Sequence, residues 1–192
     1  MSATFRRNPR RVSGRAGRLP LLARKLLAAA CALALSGCVL SEQPLFDPST
    51  ALTPAPAGRY EQQEMRDGRW TKLRAGMLRR VGRAYEWKPD DNAAAVRFMV
   101  FEAGSNAFTL YAGITDAGKT KHYYALIKPS ADGYLFYQPL CSDFTKLRLR
   151  AGLLPVKIVD GECYFADNAA LSAALVAHAE AIPAEFRYVP IR

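Results

Sequence analysis

From Gly58 onward the chain alternates apolar and polar residues in short runs broken by Gly, Asp, Asn and Pro, which is the period and punctuation of antiparallel β-structure. Residues 59–66 run into Asp67-Gly68, a strong hairpin signal, and Trp70 opens the return strand. Residues 72–80 are ambiguous, because Gly76 interrupts them. A strand over 83–88 places Tyr85 and Trp87 on one face, and Pro89-Asp90-Asp91-Asn92 reads as a turn rather than as a pair of working carboxylates. Four clearer strands follow at 95–102, 108–115, 122–128 and 134–140, joined by hairpin-length separators. Both faces of these strands are apolar: Phe98 and Val100 oppose Met99 and Phe101, and Leu110 and Ile114 oppose Tyr111. Such a sheet must be covered on both sides, by curling into a half-barrel or by packing against helices. Tyr111, Tyr123, Tyr124, Tyr134 and Tyr137 concentrate here, and β-propensity with core packing accounts for them better than a ligand groove does.

After Cys141 two readings stand open. Ser142-Asp143 would cap a short helix with Phe144, Leu147 and Ala151 on one face, whereas the alternation of Lys146, Arg148 and Arg150 with Leu147, Leu149 and Ala151 is that of a strand. Residues 156–159 and 162–165 form a hairpin around Asp160-Gly161. Asp167 then caps a helix over 168–181, with Leu171, Leu175, His178 and Ile182 on one stripe and Pro183 as its stop. Residues 186–191 close the chain as a strand, and Pro190 marks it as an edge. The expected class is α+β: a single mainly antiparallel sheet, meander or half-barrel, with one C-terminal helix and room for a second short one.

The first 37 residues obey a different grammar. Eight basic residues and no acid occupy positions 1–25, and Leu26 to Leu35 is an unbroken apolar run. That is the charged region and short core of an export signal, too short to span a membrane as a helix. The run ends in Leu35-Ser36-Gly37-Cys38, which resembles the lipobox of bacterial lipoproteins. The resemblance implies cleavage after Gly37, acylation (palmitate among the chains) on Cys38, and anchoring through lipid. Val39 in the following position implies the outer membrane, facing the periplasm. Residues 38–57 carry Pro44, Pro48, Pro54 and Pro56, which deny the backbone donors a helix or sheet needs. They read as an extended tether that at about 3.1 Å per residue reaches roughly 50 Å. Residues 58–192 then form one β-rich periplasmic domain.

The formal charge of +10 loses its meaning once the leader is removed. Eight of the 27 Lys and Arg leave with it, so 19 face 17 acids, and the case for nucleic acid goes with them. Of four cysteines, Cys31 leaves with the leader and Cys38 takes lipid, so Cys141 and Cys163 are expected to pair in an oxidising compartment. Only His122 and His178 remain, without ligand-spaced partners, so no metal or cofactor is expected. Arg79, Arg80, Arg83, Lys146, Arg148 and Arg150 are a candidate anion-facing patch, against the plainer reading of a solvated face. No nucleophile elbow, phosphate loop or dinucleotide fingerprint is present. The chain reads as a membrane-anchored envelope module, not an enzyme, that binds an envelope protein, glycan or lipid or serves a structural role. One alternative is a carrier or sensor of an apolar ligand inside a curled sheet; a second is an enzyme whose residues meet only in space.

Overall fold

Asp67 and Gly68 both take positive φ, 49° and 74°, as a tight two-residue hairpin demands, and the long strands on either side of them are the first wall of a barrel. The computed structural model describes residues 39–41, 43–104, 106–116, 118–144, 157–159 and 161–191, all within the unit Ser36–Arg192. Along the chain the described strands are β1 (Val39–Ser41), β2 (Gly58–Arg66), β3 (Arg69–Val81), β4 (Ala84–Pro89), β5 (Val96–Glu102), β6 (Phe108–Asp116), β7 (Lys119–Ser130), β8 (Gly133–Tyr137), β9 (Lys157–Val159), β10 (Glu162–Tyr164) and β11 (Phe186–Pro190).

Strands β2 to β8 each pair antiparallel with the next, as the meander pattern predicts. The stretch interrupted by Gly76 is one strand of 13 residues. The sheet does not stay open, however. The last strand, β11, pairs with β2 on one side and β8 on the other, which closes an eight-stranded antiparallel barrel in place of the expected meander or half-barrel. Strand β11 is therefore not an edge. The amide of Ile191 donates to Arg59 O on the β2 side, so the nitrogen of Pro190 faces the opposite side. There β8 has already ended, at the Tyr188–Tyr134 pair, so the missing N–H deprives no neighbour. Beyond β8, the free edge of β7 is taken by β1, which continues into the small ribbon β10–β9; β1 and β10 are parallel.

Two apolar cores result, one on each face of the wall, which is why both faces of the sequence read as apolar. Inside the barrel lie Tyr60, Leu78, Tyr85, Trp87, Val100 and Ile127. Outside it, Tyr124, Leu126 and Tyr137 pack beneath the C-terminal helix (Asn168–Ala181) and the β1–β10 ribbon. The helix is capped as expected, Asp167 accepting from the Ala170 amide at 2.7 Å, and it buries Leu171, Ala174, Leu175 and His178. Each of the two leucines contributes about 1.5–3 kcal/mol by leaving water. Cys141 and Cys163 are joined in a disulfide, Cα atoms 5.3 Å apart, which ties helical residues 141–144 to β10. The choice between helix and strand for 145–156 lies outside the described residues.

The prolines between 43 and 57 do keep that stretch out of the sheet, but it lies against the domain instead of standing off it. Val39 is 1% exposed and paired with Cys163. Phe46 stacks on Phe101 at 4.6 Å, Leu45 donates its amide to the Tyr124 hydroxyl at 3.1 Å, and Leu52 bridges Val100. An anchor on Cys38 would thus meet folded structure at the next residue, and the roughly 50 Å reach of a solvated tether does not apply.

Candidate functional site

One end of the barrel interior is covered by a segment of the chain. There the strap 51–57 crosses the strand termini and is held by three tyrosine hydroxyls. Tyr85 donates to Ala55 O at 2.6 Å and accepts from Ala55 N at 3.0 Å, Tyr60 donates to Pro56 O at 2.9 Å, and Tyr134 donates to Pro54 O at 3.2 Å. Each phenol thus brings a backbone group into an apolar region with its hydrogen bond made. Burial pushes the Tyr60 hydroxyl up to about 12, helped by neighbouring Tyr134 and Tyr85, so it stays a neutral donor.

Several inward-facing side chains are only half-buried. Phe98, Leu110, Phe136 and Tyr188 belong to the same interior cluster as the sealed residues, yet they keep part of their surface exposed. Directly paired residues share a face of a sheet. Arg74 pairs with Gln62, Gln62 with Tyr188 and Tyr188 with Tyr134, so these four form one row across β3, β2, β11 and β8, facing inward. The Trp87 indole meets Tyr188 edge-on at 5.4 Å and lies against Gly76, where a Cβ would come within 2.7 Å of the ring. Glycine at 76 is what allows the indole to lie flat against the wall. Phe136 packs edge-on to Tyr188 at 5.9 Å. Burial pushes the Tyr188 hydroxyl up to about 12, against the opposing charge of Arg74. The Arg74 guanidinium meets Asp91 of the β4–β5 turn at 3.3 Å through Nη1, and its Nε is buried without a hydrogen-bond partner. The arrangement is an aromatic inner surface with the Arg74 cation and the Tyr188 and Tyr134 phenols in one row, suited to holding a molecule rather than to activating one.

The residues singled out from sequence fall elsewhere. Arg80 and Arg83, both exposed, donate to the carbonyls of Thr53 in the strap and of Ser49 just before it. Arg79 is exposed and pairs across strands with Glu86. Lys146, Arg148, Arg150 and Cys38 lie outside the described residues. Asp90 and Asp91, read as turn punctuation, pair with Arg59 at 2.6 Å and Arg74 at 3.3 Å. Tyr111, Tyr124 and Tyr137 pack in or against the outer core, as the packing reading expects, and Tyr134 packs against the interior cluster. His122 is buried with Nδ1 at 2.9 Å from the Tyr111 hydroxyl, and among the described residues no group of acids, histidines and cysteines is arranged to hold a metal ion. The interior residues were missed because nothing in a strand's letters says which face will become a lumen. The usable signal was local: Arg74 shares its face with Leu78 and Gly76, an unusual place for a charge.

Comparison with family models, with curated proteins and with solved structures finds no match to this chain.

Proposed function

We propose that this chain is a lipid-anchored envelope binding protein that carries or senses an apolar ligand inside its barrel. The observation that supports it is the partial exposure of Phe98, Leu110, Phe136 and Tyr188 inside a closed barrel. Apolar surface kept in contact with water forgoes about 25 cal/mol per Å², and a ligand seated among these rings would recover that. The strap supports the reading too, since it covers one end of the interior and so gives a ligand a floor.

The anchor gives this site a location. With Val39 already part of the fold, acyl chains on Cys38 would hold the barrel at the bilayer surface, where apolar molecules partition. The experiment is a titration with phenylnaphthylamine, an uncharged dye that fluoresces on leaving water. Saturable binding of one dye per chain supports the proposal; a signal that rises linearly with dye, as in non-specific partitioning, overturns it.

A further inference from the structure

The inward face of the barrel carries a cation, Arg74, whose Nε is buried although its side chain is 32% exposed. Arg74 stands in the inward row beside Gln62 and Tyr188, with its Nε buried and unpartnered. A buried donor left without an acceptor is costly, and the cost persists only where something compensates it. Asp91 compensates it incompletely. Its carboxylate lies 3.3 Å from Nη1 alone, it is half-exposed at 49%, and its other oxygen is turned back to accept from the Ala93 amide at 3.1 Å. A guanidinium presents its donors as a planar fork matched to two oxygens of one anion, and this pair leaves half of that fork unused.

Resting on the binding reading above, we propose that Arg74 anchors the head of an amphipathic anion, a molecule with an apolar body and a carboxylate, sulfonate or phosphate at one end. The body lies among Trp87, Phe98, Phe136 and Tyr188. The head accepts from the free side of the Arg74 fork, in a site whose apolar rings strengthen the attraction by excluding water. Tyr188, held neutral by burial, stands in the same row as a second donor that adds no negative charge. Asp91 is then a placeholder that the ligand's head displaces: the turn that carries it is exposed, and its Asn92 already sits at φ 60°.

The test compares two dyes that share a ring skeleton and differ in one charge: anilinonaphthalene sulfonate and neutral phenylnaphthylamine. The full chain carries Cys38→Ser in every arm, so that no attached lipid competes for the barrel. The sulfonate is expected to bind about tenfold more tightly than the neutral dye, the scale of one charge-assisted hydrogen-bonded contact. Arg74→Gln should abolish that preference, read as the ratio of the two dyes' affinities within the same variant. Arg74→Lys should keep part of the preference, and Asp91→Asn should strengthen sulfonate binding alone. Equal sulfonate affinity in wild type and Arg74→Gln, with neutral binding intact, overturns the role of Arg74 while sparing the binding site. Absence of neutral binding in the Cys38→Ser parent overturns both. If Arg74→Gln loses both dyes by collapse, an unaltered preference in Arg74→Lys and Asp91→Asn together overturns the proposal.

Discussion

The Tyr85 hydroxyl satisfies both backbone groups of Ala55, donating to its carbonyl at 2.6 Å and accepting from its amide at 3.0 Å. One side chain thereby fastens the middle of the strap, between the contacts of Tyr134 and Tyr60. Tyr85→Phe leaves both groups buried without a partner, which costs about 1–3 kcal/mol. Denaturant unfolding should show that loss, and hydrogen exchange should show residues 51–57 losing protection ahead of the barrel strands. Unchanged protection would mean that Tyr60 and Tyr134 hold the strap alone.

The disulfide secures the outer layer. Cys163 lies in β10 and pairs directly with Val39, so the bond also steadies the first strand after the proposed anchor. Replacing both Cys141 and Cys163 by Ser should lower stability by about 3 kcal/mol on the loop-entropy account. Amides of β1 and β10 should exchange first. A loss confined to the C-terminal helix would contradict this placement.

His178 makes stability depend on pH. Its imidazole is 2% exposed, and burial lowers its pKa below the ordinary value, although Asp143 at 3.6 Å opposes the shift. Between the folded and unfolded values the unfolded chain binds more protons, so stability falls as pH drops below about 6.5. Glu185, raised by burial and by the nearby charges of Asp143 and Glu64, acts with the opposite sign, its stability contribution being lost as pH rises above the ordinary carboxylate value. His178→Gln should flatten the slope of the unfolding midpoint below about pH 6.5. An unaltered slope would assign the dependence to other groups.

Cys38→Ser should abolish incorporation of radioactive palmitate. Persistent labelling would dismiss the lipobox reading of Leu35-Ser36-Gly37-Cys38. Because Val39 is part of the fold, a flexible spacer inserted after Cys38 should lengthen the link between anchor and domain and leave β1 paired with β7 and β10.

Local rules carried much of the fold. Period-two alternation and turn residues such as Asp67-Gly68 placed the meander, and Asp167 with Pro183 bounded the helix, because these signals act over a few residues. Closure was not legible, since it depends on β11 pairing with β2 more than a hundred residues earlier, and Pro190 argued locally against it. The docking of 43–57 was hidden for the same reason: prolines forbid regular structure but not an irregular strap pinned by Tyr60, Tyr85 and Tyr134. The candidate site shares that fate. Arg74, Trp87 and Tyr188 come from three strands spread over more than a hundred residues, and only closure turns their common face into an interior.

The most direct measurement uses that interior's own reporter. The chain holds two tryptophans, so Trp70→Phe leaves Trp87 as the single donor, beside Tyr188 in the lumen. Titrating this variant with phenylnaphthylamine should give saturable energy transfer from Trp87, with one acceptor per chain. Saturable dye fluorescence without transfer from Trp87, or no saturable binding at all, would contradict a ligand site inside the barrel.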